Sequence, residues 1–382
     1  MLTSTYHNTP LHHDDAQGEV EDWTGRGLAD LRAGICRTPL PPRETFLDDP
    51  LRVLRAVRFA SRFDFRLDDD LSAAAASREV VEALSTKVSR ERFGVEVGSM
   101  ISGPRPASAL DWLNQLGLLP TLLAPPIGVT LPAEEKWEGR GVACADAALR
   151  TLALVGSGDD GAWASGLDAD SRRVFALAAL GLPLRHVQGT AGGKKGKSQP
   201  LWSRVVQDSL KMRGKDATDA HVVGVQAEAL ARIGLVGRGA DGVVGEDLRE
   251  AAGVALKAAG AHWKLALVLA PVTEMVDARP VGSEPTSDAG PTMTWADLDE
   301  QARDAAAATA ADTARALIAA VEGLGLAGCH EWTPLLGGKE VAEALGVEGP
   351  ALGEAMNRVT RYRFRNATAT PSEALAFLKG SR

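Results

Sequence analysis

A chain of 382 residues is long enough to bury more than one core, so two or three domains are expected. Only 5% of it is aromatic and alanine is abundant, which favours helices over sandwiches and barrels. The net charge of −8 excludes a global basic field, so any affinity for nucleic acid must come from local patches. Its three cysteines, Cys36, Cys144 and Cys329, are far apart and fit a reducing, intracellular setting better than a disulfide framework. The first twenty residues lack the apolar run of a secretory signal, and no stretch is expected to approach a membrane span.

Residues 1–17 carry no periodicity and read as a frayed leader. The adjacent residues His12, His13, Asp14 and Asp15 point in different directions in an extended segment and cannot converge on one ion unaided, so no metal site is expected there. Residues 19–23 and 35–38 read as short strands around a turn at 24–27. From 45 to 103 the pattern is helical throughout. Asp48 or Asp49 is a candidate cap for a first helix, with Pro50 in its first position. Val53, Leu54, Val57 and Ala60 fall on one face of that helix, and Arg52, Arg55, Arg58 and Arg62 gather on roughly the opposite one. A second helix is expected near 70–84. A third has Ser89 as N-cap, an apolar face of Phe93, Val97, Met100 and Ile101, and a stop at Gly103 and Pro104. Residues 107–116 form another helix, closed by Gly117.

The middle of the chain reads as helices separated by loops at 131–141 and 156–161. Residues 190–199 form a basic glycine–lysine loop. Its run A-G-G-K-K-G-K-S formally fits a phosphate-loop pattern, but the upstream residues 174–182 read as a helix and not as the buried parallel strand that motif needs. The run is better read as a basic loop brushing phosphates. Helices follow at 218–233, 246–259 and 261–275, then a linker at 279–292 and a long alanine-rich helix at 297–321 ended by Gly323. In the tail, residues 339–345 form a short helix stopped by Gly346. Leu352, Met356, Val359 and Tyr362 then recur at helical spacing. Arg358, Arg361, Arg363 and Arg365 make that stretch locally basic, which points to phosphate contact. Thr370, Pro371, Ser372 and Glu373 spell a capping box that opens the last helix.

Asp49 and Arg52 carry the sharpest chemical implication. An ionised carboxylate only accepts hydrogen bonds and a guanidinium only donates them. Cytosine and adenine each present an amino donor beside a ring-nitrogen acceptor. Uracil and guanine place a carbonyl where that amino group would be. A site holding the two side chains in one plane would take C and A and reject U and G.

The runs E-V-E-D-W-T-G-R-G-L-A-D-L, I-C-R-T-P-L-P-P and F-L-D-D-P-L-R-V-L-R-A-V-R-F-A-S-R-F resemble the class II CCA-adding tRNA nucleotidyltransferases of the eukaryotic branch. The match is ordered from about residue 18 to 103, and weaker but traceable at 208–211 and from 334 to 379. The resemblance implies that Asp49 and Arg52 are the amino-acid template selecting CTP and ATP, with Asp48 beside them. It implies that Ser89, Glu91, Arg92 and Glu96 form the helix buttressing that template, and that Gly27, Asp30 and Leu31 belong to the element where head and neck flex. Arg55 and Arg58 would contact the nucleotide's phosphates or the RNA. By the same resemblance the fold is mainly α. A remnant of an α/β head at 1–44 would precede a base-reading neck at 45–125, a body at 126–330 and a tRNA-binding tail at 331–382.

The family's catalytic carboxylates lie in a glycine-rich motif ending in D-x-D, followed by R-R-D-x-x-x-N-A-L. Neither is found in this sequence, which enters the pattern near Tyr6, His7 and Asn8, as an N-terminally truncated member would. Mg2+ is implied for the intact family, yet the chain offers it no recognisable ligands. Two alternatives stand beside CCA addition: an A-adding polymerase of the same superfamily, and a non-catalytic RNA-binding module. A helical scaffold without an RNA role is a weaker third.

Overall fold

The computed structural model describes residues 11–13, 20–126, 137–158, 161–190, 198–235, 245–276, 294–366 and 368–380. Tyr6, His7 and Asn8, Asp14 and Asp15, most of the basic loop at 190–199 and the linker at 279–292 lie outside the described residues. The described chain is mainly α, as expected, and divides into two units. Met1–Leu149, Gly166–His221 and Ala278–Thr292 make the first; Arg150–Ser165, Val222–Asp277 and Met293–Arg382 make the second.

The first unit opens with β1 (Leu11–His13) paired antiparallel to β2 (Val20–Asp22). The expected leader is therefore partly a strand. Helix α1 (Gly27–Ala33) follows, ended by Gly34 at φ 64°. Strand β3 (Ile35–Cys36) pairs in parallel with β4 (Arg66–Leu67). The two sequence-predicted strands thus do not pair around a turn. A helix separates them, and each finds a partner elsewhere. Strand β4 also interrupts the stretch expected to be helical throughout. Between β3 and β4 lie α2 (Pro42–Asp48) and α3 (Leu51–Phe63). The expected apolar face of α3 is buried: Val53, Leu54, Val57 and Ala60 are almost inaccessible. Each of the Val and Leu side chains contributes about 1.5–3 kcal/mol by leaving water.

The helix expected at 70–84 is two helices, α4 (Asp69–Ala75) and α5 (Arg78–Lys87). Ser77 restarts the chain by accepting the Val80 amide on its hydroxyl at 3.4 Å, a local signal that competes with continued helix. Helix α6 (Arg90–Ile101) begins at Ser89, whose Oγ accepts from the Arg92 amide at 3.4 Å. Phe93, Val97, Met100 and Ile101 are buried. Helix α7 (Pro106–Gln115) is closed through Gly117 at φ 66°, and α8 (Leu119–Leu122) follows.

Helix α9 (Trp137–Gly156) takes residues 137–141 out of the expected loop. After α10 (Ala162–Ser165) comes α11 (Ala169–Leu180), capped by Asp168, whose carboxylate accepts the Ser171 amide at 2.6 Å. Strands β5 (Gln188–Thr190) and β6 (Ser198–Pro200) pair antiparallel. A phosphate loop needs a parallel strand feeding a helix, so the flanks of that motif match lack its context. Helix α12 (Leu201–Arg204) runs into a π-helical turn, Val205–Ser209, and Lys211 then takes φ 50°. Helix α13 (Gly214–Ile233) follows.

In the second unit, α14 (Glu246–Ala259) and α15 (Trp263–Met275) are joined through Gly260 at φ 61°. Contrary to expectation, the stretch Glu246–Met275 is long and apolar enough in composition to cross a membrane. It is two helices, and the side chains of 265–270 are packed inside the unit. Helix α16 (Glu300–Gly323) starts three residues later than expected, with Asp299 as its cap. Arg249 on α14 is buried, donating Nε to the Leu324 carbonyl at 3.1 Å and Nη1 to that of Phe364. Burial lowers its pKa, but the two carbonyls are helix-end acceptors suited to a cation. The tail helices α17 (Gly338–Leu345), α18 (Gly349–Arg365) and α19 (Pro371–Gly380) enclose a small core of Leu336, Val341, Ala355, Val359, Ala374 and Leu378. The expected box at Thr370 forms: its amide and hydroxyl donate to Glu373 at 2.9 and 2.8 Å.

All three cysteines are buried and free of disulfides. Burial pushes the Cys36 thiol up to about 12 and the Cys329 thiol up to about 11.

Candidate functional site

The mouth of α3 is a three-residue hinge between two helices. Asp48 closes α2, Asp49 is extended, and Pro50 is the N-cap, so α3 begins at Leu51, one residue later than expected. Asp49 still does a cap's work. Its carbonyl accepts the Arg52 amide at 3.0 Å and its carboxylate accepts the Leu51 amide at 3.3 Å. Both carboxylate oxygens also lie 3.4 Å from Nη2 of Arg92, 43 residues away on α6. Arg52 donates to the Thr45 carbonyl at 3.2 Å and pairs with Asp48 at 3.0 Å. The side chain of Asp49 is 17% exposed and that of Arg52 is 31% exposed. Each therefore has its own anchor while keeping a face toward solvent. Asp48 is 72% exposed, and an ion pair so open contributes little, so Arg52 can exchange it for another acceptor at small cost.

The other basic side chains of α3 do not all point outward. Arg58 turns to α6, where its Nε lies 2.9 Å from Glu96, an ion pair by distance whose alignment does not make a hydrogen bond. Arg58 thus has a carboxylate partner within the chain. Glu96 is buried, and burial raises its pKa, opposed by the charges of Arg58, Arg55 and Arg92 and assisted by Asp49. The Nε of Arg55 is itself buried. The carboxylates Asp49 and Glu96 and the guanidiniums Arg55, Arg58 and Arg92 thus form one electrostatic group that joins α3 to α6. Exposed Glu91 is held below the usual carboxylate range by its own backbone amide and by the Ser89 hydroxyl, with Lys211 adding its charge. That is a helix-end role.

Gly27 donates its amide to Thr24 Oγ1 at 3.0 Å as α1 begins. Asp30 pairs with Arg37 at 2.9 Å, and Arg37 pairs with Asp68 at 2.6 Å. Burial pushes the Asp68 carboxyl up, yet the hydrogen bond and charge of Arg37 overcome it and leave the pKa lowered. Arg37 and Asp68 were absent from the sequence-predicted set. The R of I-C-R-T-P is the only signal that could have drawn attention to the pair.

The tail arginines are also engaged. Arg365 binds Glu250 and lies 3.2 Å from Asp247, and Arg361 is 3.6 Å from Glu250. Arg363 donates to the Thr333 carbonyl and lies over the Trp332 ring at 4.5 Å. Arg358 lies 5.8 Å over Phe377. Each of the four arginines thus has a contact within the chain. Arg361 and Arg365 also line a groove of about 470 Å³ with Gln226, Ile233 and Val254.

Among the described residues, no three His, Cys, Asp or Glu side chains converge to hold a metal. Asp48, Asp49 and Glu96 are each matched to arginine, so they do not fit Mg2+.

No family model matches the chain. It is 49% identical over 108 residues to the mitochondrial CCA tRNA nucleotidyltransferase of Saccharomyces cerevisiae, covering 28% of this chain and 20% of that one. It is 42% identical over 106 residues to the tRNA nucleotidyltransferase cca1 of Schizosaccharomyces pombe, covering 28% and 21%. Over 397 residues it is 28% identical to the nucleotidyltransferase lcsQ of Purpureocillium lilacinum, covering 94% and 64%. The chain thus matches less than two thirds of the length of each of these relatives. Among solved structures, the Bacillus stearothermophilus CCA-adding enzyme in complex with CTP aligns with a TM-score of 0.53 at 20% identity, over 97% of this chain and 71% of that one. The mainly helical fold expected from the resemblance is borne out.

Proposed function

We propose that this chain carries the base-reading and RNA-binding part of a tRNA nucleotidyltransferase that adds CCA from CTP and ATP. Asp49 and Arg52 select the incoming base. Residues 45–125 form the reading neck, and the body and tail hold tRNA. By the family resemblance, Mg2+ would be held by head carboxylates that are not among the described residues, and it would activate the attacking hydroxyl there. The observation that carries the reading is the separate anchoring at the α3 mouth. Arg92 and the Leu51 amide fix an acceptor, while the Thr45 carbonyl fixes a donor three residues on, both part-exposed. The two are prepared for a planar edge that neither satisfies alone. Relatives named as tRNA nucleotidyltransferases, and a solved neighbour bound to CTP, support the substrate class.

Titration calorimetry with each triphosphate tests the reading. CTP and ATP should bind at least about 10-fold tighter than UTP and GTP, in the range of one good bidentate base contact. Asp49→Asn offers both a donor and an acceptor and should level that preference. Equal affinity for all four nucleotides, or an Asn variant that keeps the preference, would sink the assignment.

A further inference from the structure

The last turn of α3 carries a feature the base-reading role does not use. Phe59 and Phe63, four residues apart, stack with centroids 6.3 Å apart and planes 11° from parallel. Asp64 then takes the left-handed conformation at φ 61°, which turns the chain back and brings Phe65 to 5.9 Å from Phe63. Phe65 is seated at the end of α1, where even a methyl on Gly34 would lie 3.6 Å from its ring. The row of rings is anchored there and open in the middle, since Phe63 is 37% exposed.

Cations flank the row. Arg58 lies 4.7 Å over Phe59 and Arg62 lies 5.5 Å over Phe63. The carboxylate that could oppose them, Asp64, is paired with Arg105 at 3.2 Å, and Glu96 faces Arg58. Arg62 is exposed and has no carboxylate partner among the described residues. Its hold on the ring is a weak cation–π contact, so it can swing to a phosphate and leave the ring face open. Interleaved rings and guanidiniums suit stacked bases joined by phosphates. A duplex, whose base faces are already covered, has nothing to offer the rings.

We propose that Phe59, Phe63 and Phe65, with Arg58 and Arg62, form a stacking platform for single-stranded RNA, about 20 Å along α3 from Asp49 at a rise of about 1.5 Å per residue. The choice of RNA as occupant rests on the proposed function. The site and its readout are separate from base selection.

The test is fluorescence anisotropy of a labelled eight-nucleotide oligoadenylate RNA with the full chain and no triphosphate present. Phe63→Ala and Phe63→Leu should each weaken binding by about 5- to 100-fold, as expected for losing a base–aromatic stack, while Phe63→Trp should retain it. Arg62→Gln should reduce the slope of log affinity against log salt by about 0.7. Thermal melting of each variant accompanies the titration. If the Ala variant melts early, the Leu variant, which keeps apolar bulk without a π face, decides. The platform is overturned if the unmodified chain does not bind the oligonucleotide or if Phe63→Leu binds as tightly as it does. It is also overturned if a hairpin duplex of equal length binds as well with the same dependence on Phe63. Failure of nucleotide selection at Asp49 leaves these outcomes unaffected.

Discussion

Gly94→Ala is expected to destabilise the first unit by about 3 kcal/mol or more, while Gly98→Ala, one turn further along α6, costs nothing measurable. A Cβ on Gly94 would lie 1.9 Å from the carbonyl oxygen of Leu210, well inside contact distance, and the atom it meets is backbone. Leu210 cannot retreat easily. It follows the π-helical turn Val205–Ser209 and precedes Lys211 at φ 50°, so the segment 205–211 is already held in uncommon conformations. At Gly98 the nearest atom to an added methyl is the flexible end of Met212 at 3.7 Å, an ordinary contact, and alanine is the better helix former. Paired urea titrations of the two variants check this. Equal stability would mean that α6 and the 205–211 segment are not in the close contact described.

Glu96→Ala should cost about 3 kcal/mol at neutral pH, whereas Glu96→Gln should cost under about 1 kcal/mol. Alanine removes the acceptor facing Arg58 and leaves a void between α3 and α6, while glutamine keeps both shape and acceptor. The pH dependence separates the two further. Burial raises the folded-state pKa of Glu96 above its ordinary 4.5, despite Arg58, Arg55 and Arg92. A raised carboxyl binds its proton more tightly when folded. The proton-linked part of its contribution is therefore full below about pH 4.5 and is lost as pH rises through the folded value, which leaves its packing and its contact with Arg58 at neutral pH. Replacement by Gln should flatten that part of the stability profile. A Gln variant as unstable as the Ala variant, or an unmodified chain gaining stability from this group as pH rises, would contradict the burial of a disfavoured charge.

Local signals in the sequence carried far. The period of Val53, Leu54, Val57 and Ala60 marked the buried side of α3. Ser89, Gly117, Gly346 and the Thr370–Glu373 box marked helix ends, because capping is decided within four residues. What stayed hidden depended on distant partners. Strands β3 and β4 are two residues each, too short for alternation to show, and exist because they meet each other. Asp49 reads in the sequence as the companion of Arg52. In the fold its carboxylate is held by Arg92, and Arg52 is held by Asp48. Arg58 and Arg365 stand out on a charge map, but their partners Glu96 and Glu250 lie on other helices, and no helical period announces them.

The three thiols give the molecule a built-in pair of clocks. Cys36 and Cys144 sit in the first unit and Cys329 in the second, all shut away from water. With the thiols of Cys36 and Cys329 raised to about 12 and about 11, neither offers a nucleophilic thiolate at neutral pH while its surroundings stay closed. An alkylating reagent therefore marks each residue only when the part that encloses it opens. Peptide mapping of the adducts times the opening of the two halves separately, without any mutation.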